Sequence, residues 1–389
     1  MGYYYGKTIR EYRIARKMTL EQLASKWPSK DIGVNIRYVI EVEAGRKRIT
    51  DTETLRGLAS VLNIPLWKFG LSEYDPFDEN NVQISPFIDM NILLELIQDT
   101  WYIRLNMPAN ITEKKIISLS DIFMDLINTN PRLLNNKDFL VLYAQTKRLQ
   151  EVVYTERHDY KMSLQYSYAM LEQAKQAKDI ISEAIAMTRI GVELLRDENK
   201  EALDYLEKGR DLSFATSSKE VAAYCYSFLA RGYVTFGDER RFIQAINTAI
   251  MLADTMKGLP IVTKDYVFHA YSAILEEKSN GLILLGKGEE ALKELKEIDA
   301  QIDVENNIYL KMWMPLDYAQ SFMLMDEIET SIKWLEVFYR NIKNYQSARL
   351  HSSIRRHLDK LDKLGYAKLP AVKDFKNMYY SRNDNPVTE

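Results

Sequence analysis

Thr19-Leu-Glu-Gln-Leu-Ala-Ser-Lys-Trp27, Val34-Asn-Ile-Arg-Tyr-Val-Ile-Glu-Val-Glu-Ala-Gly-Arg-Lys-Arg48 and Thr52-Glu-Thr-Leu-Arg-Gly-Leu-Ala-Ser-Val-Leu-Asn-Ile-Pro65 decide the fold of the first part of this chain. Each is a short amphipathic helix with its own start signal. Thr19 with Gln22 three residues on has the spacing of a capping box, and Leu20, Leu23 and Ala24 give that helix an apolar face. Asn35 can cap a helix from Ile36 to about Ala44, and Gly45 can end it in the left-handed conformation. Val39 and Val42 then face a core, which leaves Ile36, Arg37, Tyr38 and Glu41 toward the exposed side. A further helix begins near Thr52 and buries Leu55, Leu58, Ala59 and Leu62, while Pro65, Leu66, Trp67 and Phe69 close the bundle. Upstream, Ile9, Tyr12, Ile14, Ala15 and Met18 recur near helical spacing.

The pattern Thr19-x-x-x-Leu23-Ala24, Asn35-x-x-x-Val39-x-x-Val42-Glu43-x-Gly45-x-x-Arg48 and Leu55-x-x-Leu58-Ala59-x-x-Leu62 resembles the Xre/Cro-type helix-turn-helix family. That resemblance implies a third helix lying in the major groove of DNA, with residues near its start reading base edges. The candidate DNA-contacting residues are Asn35, Ile36, Arg37, Tyr38 and Glu41 on the helix, and Arg46, Lys47 and Arg48 as phosphate clamps. Glu43 and Gly45 are expected to shape the turn. The chain departs from the family in two places. Leu20 stands where a phosphate-contacting Gln is common, and the turn before the third helix is longer, with Pro28 to Ile32 inserted.

Charge agrees with a DNA-facing head. The chain of 389 residues carries a net charge of −3, divided into +6 through residue 70 and −9 beyond it. A basic head on an acidic body suits a protein that meets phosphate at one end. With 46% hydrophobic and 28% charged residues the composition is that of a folded protein too long for one core. No apolar run reaches membrane-spanning length, and the residues after Met1 form no secretory signal, so a cytoplasmic protein is expected. Cys225 is the only cysteine and reads as a small core residue.

Beyond residue 85 the apolar residues keep a helical period. Turns recur at His158-Asp159, Asp197-Glu198, Gly237-Asp238, Lys287-Gly288 and Asp326-Glu327, at spacings of 39, 40, 50 and 39 residues. Such a period with a mid-unit turn is the signature of stacked helical hairpins. The unit from Ser279 to Ile298 is the clearest: small Ser279 and Ala291 allow close approach, while Leu282, Leu295 and Ile298 fill the seam. It resembles a tetratricopeptide (TPR) repeat. Ala319, Phe322, Ser331, Leu335 and Phe338 repeat its spacing, Ala202/Leu206 and Ala245/Ala249 match it more loosely, and residues 86–177 match poorly. The resemblance implies a right-handed solenoid whose groove, lined by the first helix of each pair, holds an extended peptide. Asn280, Gln320 and Arg231 are expected to point inward, with Arg189 or Arg231 taking a ligand carboxylate and Tyr226 walling an apolar pocket.

The expected organisation is thus all-α. It comprises a helix-turn-helix domain at 1–70, an acidic linker at 71–85, a TPR-like domain at 86–380 for peptide sensing and dimerisation, and a disordered tail at 381–389. No catalytic, cofactor or metal motif is present: Gly286-Lys-Gly288 is a helix turn, and His158, His269, His351 and His357 form no ligand spacing. A Xre-like head on a TPR-like body resembles the RRNPP group of peptide-pheromone receptors (Rgg, PlcR, PrgX, NprR and Rap). That implies a quorum-sensing transcription regulator, a homodimer on a pseudo-palindromic operator, controlled by a short signalling peptide. The alternative is an adaptor whose body controls a partner protein, such as a response regulator or a mobile-element factor, while the head localises it to DNA.

Overall fold

The computed structural model describes residues 5–28, 33–69, 71, 89–257, 267, 269–305, 307–345 and 347–381. It divides into two compact units, Met1–Phe87 and Ile88–Glu389. Residues 29–32 of the lengthened turn, most of the expected linker and nearly all of the expected tail lie outside the described residues.

The first unit consists of α1 (Tyr5–Ala15), α2 (Leu20–Ser25), α3 (Ile36–Glu43) and α4 (Thr52–Leu62), followed by a 3-10 turn at Leu66–Phe69. Its starts are those the sequence announces. Thr19 and Gln22 form the reciprocal capping box. Asn35 Oδ1 accepts from Arg37 N at 2.9 Å, and Asp51 Oδ2 from Thr54 N at 2.9 Å. Ile9, Leu23, Val39, Leu55, Leu58, Leu62 and Phe69 make the core, whereas Ile14 is exposed. Two devices fix α3 against α1. At Gly6 a Cβ would lie 2.0 Å from the Val42 carbonyl oxygen, so only glycine permits that approach. Arg13 then forks onto Glu43, Nε to Oε1 at 2.6 Å and Nη2 to Oε2 at 2.9 Å. Glu43 is therefore a structural residue of the turn region.

The second unit is helical among its described residues: α5 (Met90–Asn106), α6 (Ala109–Thr129), α7 (Lys137–Glu156), α8 (Tyr160–Ala177), α9 (Ile180–Leu194), α10 (Glu201–Ala215), α11 (Lys219–Thr235), α12 (Glu239–Ala253), α13 (Tyr271–Leu284), α14 (Gly288–Glu305), α15 (Ile308–Leu324), α16 (Ile328–Ile342), α17 (Ala348–Lys363) and α18 (Pro370–Ser381). From α7 onward consecutive helices pair as TPR-like hairpins. The hairpin turns share one device, a residue in the left-handed conformation: His158, Glu198, Gly237, Gly286, Asp326 and Gly365. Asp159 and Asp238 then cap the second helix of their pairs by accepting from the amides of Met162 and Arg241. In the fourth turn the left-handed residue is Gly286, one position before the Lys287-Gly288 expected from the period. The α7–α8 hairpin has the same turn, although its sequence matches the repeat poorly.

Small residues sit in the seams as expected. Ser279, Ala291, Ala319 and Ser331 are fully buried, and Ser331 Oγ donates to the Ala319 carbonyl at 2.7 Å. A Cβ on Gly281 would lie 2.2 Å from the Phe242 ring, which ties α13 closely to α12. No helix among the described residues is long and apolar enough to cross a membrane.

Candidate functional site

On the first unit, α3 turns Asn35, Ile36, Arg37 and Ile40 outward. The Arg37 side chain is 87% exposed, with Nε 3.7 Å from Glu41 Oε1. Lys47 also reaches Glu41, at 3.9 Å, and lies 4.6 Å from the centre of the Tyr38 ring. Tyr38 is half-buried, its ring edge-on to Trp27 at 5.5 Å. Arg46 and Arg48 are exposed just past the helix, where the backbone amides of Arg46 and Lys47 both donate to the Glu41 carbonyl. The structure thus separates the candidates. Asn35, Ile36, Arg37, Arg46 and Arg48 stand free of the core, whereas Tyr38 and Glu41 spend part of their surface holding the helix and the basic loop together. Sequence reasoning missed Ile40, because an isoleucine between Val39 and Val42 reads as core. Ile36 and Ile40, one turn apart, form an exposed apolar pair on an otherwise polar face.

The second unit holds a cavity of about 580 Å³ that is partly open to solvent. Its walls are the odd-numbered helices. Each contributes a stripe at helical spacing: Arg148, Glu151 and Thr155 from α7; Arg189, Val192 and Arg196 near α9; Tyr224, Phe228 and Arg231 from α11; Glu276, Glu277 and Asn280 from α13; Trp313, Asp317 and Gln320 from α15; Arg349, Arg356 and Lys360 from α17. Trp101 and Arg104 of α5 join them. Asn280, Gln320, Arg231 and Arg189 therefore all face the void.

Tyr226 does not line the cavity. It packs edge-on against Phe214 at 5.9 Å, and Tyr224 and Phe228 take the place expected for it. The register is hard to read because α11 is buried nearly all round, with Val221, Tyr224, Cys225, Phe228, Leu229 and Tyr233 all inside.

Electrostatics correct a second expectation. Arg189 is already paired: its Nη2 donates to Glu151 Oε1 at 2.6 Å and to Glu193 Oε1 at 3.2 Å. Arg231 Nε donates to Glu277 Oε2 at 2.7 Å, and its Nη2 to Oε1. Each guanidinium is thus already committed to an internal carboxylate, although Arg189 Nε is buried without a partner. Around them the wall is built from cations lying on aromatic rings, Arg231 on Phe228 at 4.9 Å, Arg349 on Trp313 at 4.8 Å and Arg148 on Trp101 at 4.7 Å. His269 sits between Tyr224 and Phe228 with no partner for Nε2. Burial, helped by Arg148, Arg231 and Arg189, pushes its imidazole down to about 3, so it stays neutral near pH 7. The α17 cations differ from Arg189 and Arg231. Among the described residues Arg356 donates to Ser353 Oγ alone, at 3.0 Å, and burial with the nearby cations Arg349 and Arg196 pulls it below its usual value. Among the described residues no carboxylate lies within ion-pair distance of Arg356 or Lys360.

No family model and no curated protein matches the chain. Among solved structures it is similar to Bacillus thuringiensis PlcR, determined in complex with the peptide PapR7 and DNA. That similarity has a TM-score of 0.45 at 14% identity and covers 80% of this chain and 99% of that chain. At such a TM-score and identity the similarity says nothing about what this chain binds.

Proposed function

We propose that this chain is a transcription regulator of quorum-sensing type that binds DNA through α3 and a short peptide in the cavity of the second unit. The cavity carries this reading. The odd-numbered helices from α7 to α17 turn guanidinium, carboxyl, amide and aromatic groups into one void of about 580 Å³, within the usual size of a ligand site. Amides such as Asn280 and Gln320 can donate to and accept from a peptide backbone without reading its side chains. The unpaired cations Arg356 and Lys360 replace Arg189 and Arg231 as the partners of a ligand carboxylate.

The peptide must favour one arrangement of the body over another, because a ligand that binds both equally shifts nothing. A single head with few contacts would hold DNA weakly at cellular salt, so the working species is a homodimer on a pseudo-palindromic operator. Retention of small peptides and of specific DNA by the purified protein from host lysate tests this reading. Recovery of specific DNA without any peptide, or of peptide without specific DNA, counts against it.

On the DNA side, Arg37→Ala should relax the preference at one base position by about 1–3 kcal/mol. Binding to randomised operators, scored position by position, checks this. Equal losses on specific and random DNA would make Arg37 a phosphate contact only.

A further inference from the structure

On the part of the cavity wall made by α13 and α15, carboxyl groups outnumber cations. Glu276, Glu277 and Asp317 all line the void. Arg231 answers Glu277 with a two-pronged pair, and Asn280 Nδ2 donates to Glu276 Oε1 at 2.9 Å. Asp317 receives nothing of the kind. The residue is 3% exposed, and its Oδ2 is buried without a hydrogen-bond partner. A buried carboxyl with no donor is costly, and two like-charged neighbours add to the cost. Burial, followed by Glu277, pushes the Glu276 carboxyl up to about 7, and burial with both glutamates pushes Asp317 well above the usual range. An alanine at 317 would complete the helix without these costs. What is missing from this wall is a cation, and among the described residues no side chain of the unit supplies one to Asp317.

We infer that the ligand of the cavity carries a cationic group, either a free amino terminus or a lysine or arginine side chain, seated between Glu276 and Asp317. The inference rests on the reading of the cavity as a peptide site. It gives the peptide a direction, with its cationic group at α13 and α15 and a carboxylate at Arg356 and Lys360 on α17. An ammonium or guanidinium here would be desolvated and held by charge-assisted hydrogen bonds. It would also return the two carboxyls to their ionised forms, so binding releases protons.

Two pools of random seven-residue peptides, one with free and one with acetylated amino termini, can be panned against the full-length protein and the retained peptides sequenced by mass spectrometry. The expected result is a preference of roughly tenfold or more for a cation. It would appear as retention of the free-terminus pool if the amino group is read, or as lysine or arginine enriched at one position of the acetylated pool if a side chain is read. The double variant Glu276→Gln, Asp317→Asn should lose that preference. Retention without either preference, or a preference that survives in the double variant, overturns the inference and leaves the peptide reading standing. No retention from either pool overturns both. In the ligand-free protein Asp317→Asn should melt no lower than the wild type, and a lower Tm would mean that the carboxyl serves the fold.

Discussion

Glu156→Ala should destabilise the second unit by about 3–5 kcal/mol, the expected cost of removing one member of a buried ionic cluster. Glu156 ends α7, and its carboxylate gathers three other segments, α5, α15 and the start of α17. It accepts from Arg104 Nη2 of α5 at 2.7 Å, Tyr309 Oη of α15 at 2.7 Å and Ser347 Oγ at 2.5 Å, and it lies 3.7 Å from Arg349 of α17. Alanine would leave the buried Arg104 and the half-buried Arg349 with no anion between them, and would take away the acceptor to which the tyrosine and serine hydroxyls donate. Urea unfolding should show the midpoint moving while the slope stays constant. A change below about 1 kcal/mol, the size of a surface pair, would mean that the cluster does not hold these helices. The pH dependence has a definite sign. Burial pushes the Glu156 carboxyl up, but Arg104, Arg349 and the hydroxyl hydrogen bonds outweigh it and hold it below the usual range. Its contribution is therefore complete above about pH 4.3, the unfolded value, and is lost as pH falls through the lower folded value. Glu156→Ala should flatten that acid limb of the stability curve.

Arg13→Ala should abolish DNA binding without touching a DNA-facing residue. The Arg13 and Glu43 side chains are 12% and 7% exposed, and their two-pronged pair joins α1 to the end of α3. Removing the guanidinium takes the two-pronged partner from a buried carboxylate at a cost on the order of 3 kcal/mol, in a unit small enough that this is most of its stability. Operator binding and protease resistance of the first unit should fall together. Arg13→Lys should rescue little, since an ammonium cannot form the parallel pair. Specific DNA binding within a factor of two of wild type would show that the pair does not position α3.

Much of this architecture is legible in the sequence because local chemistry dictates it. Thr19 and Asn35 stand where helices start, and each cap forms. Three hairpin turns are legible for the same reason, since at His158-Asp159, Glu198-Asn199 and Gly237-Asp238 a left-handed residue followed by Asp or Asn needs no distant partner. The inward face of the odd-numbered helices follows from the repeat itself. What the sequence conceals is long-range or ambiguous in register. Glu193 lies one turn from Arg189, but Glu151 and Glu277, the other partners of Arg189 and Arg231, lie 38 and 46 residues away, and nothing near either arginine announces them. In α11, apolar residues on every side hide which tyrosine turns inward, so Tyr226 is a natural misreading of Tyr224. Ile40 is invisible for the opposite reason, because an exposed isoleucine breaks the pattern by which exposure is read. The carboxyl excess around Asp317 emerges only once α13 and α15 stand side by side.

The central claim is that filling the cavity changes how the head holds DNA. It is tested most directly by the affinity of the full-length protein for its selected operator, measured with and without a saturating amount of a peptide retained by the cavity. The account predicts a change of about fivefold or more in either direction, blunted when Asn280→Ala weakens the peptide's hold. Identical operator affinity with the cavity empty and full, at a concentration where calorimetry shows it occupied, would contradict the account.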